Sequence, residues 1–232
     1  MSENKNALMP FAGCNLPAVS EDTIDDIDAV ATASEFLPRI QLISKGKYVN
    51  TGKISPGNWG IPLAGGEDIT DLGNKIDVIP LEGRPKALDV SDKENIIAVY
   101  DKNDPEFQRI KNQPKPADGT TSGCMWGPSF LILERSTGKL YELFFSNKSG
   151  RQEAGKLKPF LLSRTPCTLS IRYKPKGFGY HVPVVTKCSE PFAPESIPPI
   201  ELINEEIYKF KNPDKTGDEV VAEDEAPTNR AR

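Results

Sequence analysis

The chain has 232 residues, 37% hydrophobic and 27% charged, with a formal net charge of −4 at pH 7. That length holds one large domain or two small ones, and no apolar run approaches the roughly 20 residues of a bilayer span. No basic patch leads into an apolar h-region, and one histidine, His181, with four scattered cysteines leaves zinc fingers and His-rich metal sites without ligands. The expectation is a soluble cytoplasmic protein without cofactors. Cys14, Cys124, Cys167 and Cys188 are read as thiols, with a Cys167–Cys188 bridge between adjacent strands as the geometric alternative.

Residues 1–35 mix small residues and prolines with Glu21, Asp22, Asp25, Asp26 and Asp28, which predicts an extended or partly disordered acidic arm. Residues 36–44 alternate as a strand, Lys45-Gly46-Lys47 is a turn, and residues 48–54 return as a second strand before Pro56-Gly57, forming an N-terminal hairpin. Residues 75–90 are one long β-like run bent at Gly83 and Pro85. A short strand at 96–100 precedes a helix to residue 112, capped by Asp104 with Pro105 at its first position. A loop at 113–123 leads to strands 124–135 and 139–146, joined by Ser136-Thr137-Gly138.

Residues 148–163 are helical, with Ala154, Leu157, Phe160 and Leu161 on one face and Gly155 and Pro159 weakening the run. Strands 168–174 and 180–188 form a last hairpin, a helix covers 199–211, and an acidic tail runs from 213 to 232. From residue 75 the order is long strand, excursion, strand, strand, helix, strand, strand, that of an OB-fold, a five-stranded Greek-key barrel. A glycine within a curved first strand lets such a barrel bend. The predicted fold is mainly β with short helices: an OB-type domain over 36–212, elaborated by the N-terminal hairpin and flanked by acidic tails.

The charge is unevenly placed. Residues 1–36 carry seven acids and one lysine, and residues 215–232 five acids and three basic residues. Residues 148–187 instead carry nine basic residues, Lys148, Arg151, Lys156, Lys158, Arg164, Arg172, Lys174, Lys176 and Lys187, against Glu153 alone. One concentrated basic surface on an acidic protein suits an anionic polymer.

No Gly-rich loop leads into Gly-Lys-Ser/Thr or a Rossmann unit, which excludes ATPase and dinucleotide chemistry. His181, on a strand beside Val182, reads as a surface or half-buried strand residue rather than a general base. Asp68 with Asp71 and Asp101 with Asp104 read as turn and cap residues in loops, with magnesium binding as the alternative. Alternation in the last hairpin puts Leu169, Ile171 and Tyr173 on an inner face and Arg172 and Lys174 outside, next to Lys176, Phe178 and Tyr180 at the tip. Cations there track phosphates and aromatic faces stack bases without reading them. Phe178 either stacks a base or caps the barrel. Trp126 and Tyr141 are further stacking candidates with core packing as the alternative, whereas Phe130, Ile132, Leu143 and Phe145 read as core and Trp59 as an anchor for the N-terminal hairpin.

With this strand order, the basic-aromatic loop and the acids Asp218, Glu219, Glu223, Asp224 and Glu225, the chain resembles bacteriophage single-stranded DNA-binding proteins from residue 75 to the C-terminus. The likeness is architectural. It implies a non-enzymatic, sequence-independent binder of single-stranded DNA, with RNA as the open alternative, acting in replication or recombination in the host cytoplasm. It also implies an acidic tail that recruits replication proteins, although this tail ends Asn229-Arg230-Ala231-Arg232 without a terminal aromatic. The alternative is a viral structural or protein-interaction β-domain that binds no nucleic acid.

Overall fold

Alternating branched and aromatic residues make most of this chain strand. A computed structural model describes residues 37–63, 66–92, 96–114, 123–175, 180–190, 192 and 197–213. Among them are nine strands: β1 (Arg39–Ile43), β2 (Asn58–Pro62), β3 (Ile69–Gly73), β4 (Ile76–Asp89), β5 (Ile97–Val99), β6 (Cys124–Glu134), β7 (Lys139–Phe144), β8 (Cys167–Lys174) and β9 (Tyr180–Lys187). The helices are α1 (Lys47–Asn50), α2 (Pro105–Asn112), α3 (Lys148–Ala154), α4 (Lys158–Ser163) and α5 (Ile200–Lys211), with a 3-10 turn, Gly155–Leu157, between α3 and α4. The acidic arm, the acidic tail, Lys176 and Phe178 lie outside the described residues.

The strands form one sheet in the order β3-β2-β1-β7-β6-β4-β8-β9, with β5 beside β4. Every pair is antiparallel except β1 with β7. The sheet has nine strands rather than five and curls into an open half-barrel. The bend lies in β4, where the register against β6 slips between Pro80 and Glu82, just before the expected Gly83. Ile76–Val78 pair with β8 and Val78 with β6 as well, whereas beyond the bulge β4 has left β8 and Ala87–Asp89 pair with β5. Pro85 sits opposite Pro128, so two residues that lack an N–H face each other.

The N-terminal hairpin forms with a different second strand. Residues 47–50 make a helical turn, and β2 starts after Gly57, whose φ of 92° reverses the chain. The unforeseen strand is β3, which pairs with β2. Trp59 on β2 is 1% exposed and anchors this hairpin in the half-barrel interior with Ile40, Val78, Phe130, Ile132, Leu143, Phe145 and Leu169.

Alternation along β6 divides its residues between two cores. Phe130 and Ile132 face the interior, and Leu131 and Leu133 face outward, where Ile203, Ile207 and Phe210 of α5 cover them. The predicted helix at 148–163 is broken in two: Asn147 caps α3 by accepting from the Gly150 N–H at 2.6 Å, and Pro159 opens α4. Ala154 and Leu157 still reach the interior core. As expected, Asp104 caps α2, accepting from the Glu106 N–H at 2.7 Å, and Arg109 ties α2 to Asp89 of β4 at 2.7 Å.

Candidate nucleic-acid interface

The β8–β9 hairpin pairs Arg172 with Val182, Tyr173 with His181 and Lys174 with Tyr180. Residues opposite one another share a face, so Arg172, Lys174 and Tyr180 lie on one side and Tyr173 and His181 on the other. β4 pairs only with Cys167–Leu169 of β8, so the outer half of the hairpin is a two-stranded ribbon. Its aromatic residues are open to solvent, Tyr173 at 57% and Tyr180 at 43%. Arg172 is exposed and Lys174 half-buried, and neither has an ion pair or hydrogen bond among the described residues.

The hairpin is braced from one side. Tyr173 and the half-buried His181 have ring centroids 5.3 Å apart, and a Cβ at Gly57 would come within 2.8 Å of the His181 ring and of Ile171. Gly57 therefore allows the turn before β2 to press against the hairpin. Of the predicted inner face, Leu169 is buried and Ile171 packs against the core, but Tyr173 has passed the barrel rim.

Around the helical segment, Lys148, Lys156, Lys158 and Lys187 are exposed, and Lys156 pairs with Glu153 at 2.8 Å. Arg151 and Trp126 are placed together in another way. The Arg151 guanidinium lies 3.9 Å over the Trp126 ring and donates to the carbonyls of Trp126 and Ser146. Burial pulls its pKa below the ordinary arginine value. Trp126 also packs on the cluster of Ala87, Phe107 and Ile110. Two residues assigned to DNA from sequence thus satisfy each other. Gly127 permits this approach of β6 to the chain after β7, because a Cβ there would collide with the Phe145 carbonyl oxygen. Tyr141 is a correction: it is 4% exposed on the interior face of β7, so its ring is closed to a base.

A cationic cluster that sequence reading missed lies on the outer face of β4, β6 and β7. Glu142, 7% exposed, accepts from Lys86 Nζ at 2.7 and 2.8 Å, from Arg39 Nη2 at 3.2 Å and from the Ser129 hydroxyl at 2.6 Å. Burial alone would raise the Glu142 pKa, but the charges of Lys86 and Arg39 hold it below the ordinary glutamate value. Burial is also the largest influence on Lys86 and lowers its pKa against the opposing pull of Glu142. Phe144 lies 5.6 Å from both Arg39 and Lys86, and Arg84 stacks on Tyr100 at 3.7 Å and Phe210 at 4.1 Å. The one available signal was Glu142, a lone acid in the apolar run Leu140 to Phe144; its partners depend on cross-strand register.

With α5 over Leu131, Leu133 and Leu140 and this cluster beside it, the outer face of the central strands is largely filled. The open basic-aromatic surface is the β8–β9 hairpin. Cys124, Cys167 and Cys188 form no disulfide among the described residues, and burial pushes the Cys167 thiol up to about 12. Among the described residues no group of three or more His, Cys, Asp or Glu is placed to hold a metal ion, and no helix is long and apolar enough to cross a membrane. Compared with known proteins, the chain matches no family model, no curated protein and no solved structure.

Proposed function

We propose that this protein binds single-stranded DNA without sequence preference and without catalysing a reaction, through an OB-type barrel of β4, β6, β7, β8 and β9. Within the sheet these five run in the order β7-β6-β4-β8-β9, third-second-first-fourth-fifth in chain order, with α3 and α4 between the third and fourth. The strand that bends, β4, is the first. The hairpin between the last two strands is one of the two loops by which such barrels grip oligonucleotides.

The observation that carries the reading is the hairpin itself, where Arg172 and Lys174, without a partner among the described residues, share one face with the exposed ring of Tyr180 and the exposed Tyr173 ring lies on the other. The cations suit phosphates and the rings suit any base. Replication or recombination of a phage genome in the host cytoplasm is the setting this chemistry serves, with the acidic stretch 218–225 as a contact for replication proteins.

The test is fluorescence anisotropy of a labelled oligothymidine at about 50 and 200 mM salt, since neutralised phosphates release counterions and affinity then falls with a log–log slope of about −0.7 per contact. Binding that weakens steeply with salt, and that Arg172→Glu with Tyr180→Ala abolishes at an unchanged melting temperature, is expected. Absence of binding at low salt overturns the reading. A protein-interaction β-domain is the second reading, favoured by Ile197, Ile200 and Leu202, which are 42%, 57% and 44% exposed around the start of α5. Substituting these three with serine would impair that role and leave DNA binding untouched.

A further inference from the structure

We infer that the hairpin takes DNA at a junction between a single strand and a duplex, with the single strand on the Arg172, Lys174 and Tyr180 side and the Tyr173 ring, on the other side, stacked against the last base pair. This inference rests on the nucleic-acid reading above and names the form of DNA that the same site receives.

The two sides of the ribbon are chemically unlike. Beyond the Leu169–Val185 pair, β8 has left β4 and β9 is the last strand of the sheet, so among the described residues the ribbon projects as β8 and β9 alone. One side carries Arg172 and Lys174 with Tyr180. The other carries the pairs Ile171–Pro183 and Tyr173–His181, which contain no lysine, arginine, aspartate or glutamate. The first side suits a phosphate backbone. The second suits the flat face of a base pair, which stacks on an aromatic ring and needs no cation there.

The placement of the two tyrosines separates their partners. Tyr173–His181 and Lys174–Tyr180 are consecutive pairs of the ladder, and consecutive positions of a strand point to opposite faces. Two exposed rings on opposite faces do not stack successive bases of one strand running along a single side. A ring on each side, one pair apart, suits a point where two strands part.

The Tyr173 side is also the braced one. Its ring lies 5.3 Å from the His181 ring, Gly57 lets the turn before β2 press on His181 and Ile171, and the buried Pro183 stands opposite Ile171. Holding a base pair where stacking is interrupted costs energy that protein contacts must supply, so a ring used in this way needs a fixed backing. Tyr173 has that backing and still exposes more than half of its surface.

The experiment compares two labelled probes on the full chain, an oligothymidine of about 12 nucleotides and the same oligothymidine joined at one end to a short stable duplex. The junction is expected to bind more tightly by about five- to a hundredfold, the worth of one stacked ring. Tyr173→Leu keeps an apolar side chain against His181 and removes the ring, so it should abolish that advantage and leave the oligothymidine affinity and its salt slope unchanged. Tyr173→Phe keeps the ring and should keep the advantage; its loss there overturns the stacking. A junction that binds no more tightly than the plain oligothymidine overturns the assignment without any variant, so the matter is decided even should Tyr173→Leu fail to fold. An advantage that survives in Tyr173→Leu, or a loss of equal size on both probes, overturns it as well, with Arg172→Glu still weakening both. Should Arg172→Glu leave both affinities unchanged, the hairpin reading itself fails.

Discussion

Two groups of cations on this protein meet opposite fates. On the outer face of β4 and β7, Arg39 and Lys86 converge on the buried Glu142, and Arg84 is held between the rings of Tyr100 and Phe210. On the β8–β9 hairpin, Arg172 and Lys174 share a face with Tyr180 and have no acid in reach among the described residues. The residue types are the same. The first group is held by the fold, because a desolvated ammonium is tolerable only with a carboxylate against it. The second retains its hydration and its capacity for an external anion. A basic residue is therefore a candidate ligand for DNA only after its internal partners are known.

The largest effect that tests this contrast is on Glu142. Glu142→Gln leaves Lys86 and Arg39 facing a neutral group, and should cost about 3–5 kcal/mol, a fall in melting temperature on the order of 10 °C. The sign with pH follows from the lowered pKa of Glu142: its contribution is present above the unfolded value of 4.5 and is lost as pH falls through the folded one. The gap between wild type and variant, measured by thermal unfolding, should narrow from about pH 7 to about pH 3. A constant gap would mean that the carboxylate charge does not stabilise the cluster.

Gly57→Ala tests the brace that joins the hairpin to the rest of the sheet. The added methyl meets His181 and Ile171 at a φ of 92°, so stability should fall by about 2–3 kcal/mol in denaturant titrations, and oligothymidine affinity should fall with it as the hairpin shifts. Arg151→Gln should cost about 2 kcal/mol by removing the stack on Trp126 and the bonds to two carbonyls, with the salt slope of DNA binding unchanged. A reduced slope would return Arg151 to the interface. The smallest effect on stability is expected from Arg172→Gln and Lys174→Gln, within about 0.5 kcal/mol each, yet each should lower the salt slope by about 0.7.

Much of the local structure was legible because it depends on local physics. Asp104-Pro105 marked the start of α2, alternation marked β4, β6, β7, β8 and β9, and the apolar spacing of Ala154 and Leu157 marked a helix facing the core. β3 was missed: Ile69-Thr70-Asp71-Leu72-Gly73 pairs with β2 as an edge strand and shows little burial of its own. The stretch 48–54 was misread as strand because Tyr48 and Val49 favour strands, whereas in the fold they belong to a helical turn in which the Tyr48 hydroxyl donates to the Gly66 carbonyl.

For the candidate site, the sequence alone determined where the positive charge is dense and which residues of β8 share a face. The period of two along a strand and the spacing of charges are properties of a few neighbouring residues. Only the tertiary structure decided which of these side chains remain open. Arg151 meets Trp126, Tyr141 turns into the core and Lys86 finds Glu142 through contacts between elements. Such contacts depend on register and on the curl of β4 and its bulge, where partners separated by tens of residues come within hydrogen-bonding distance.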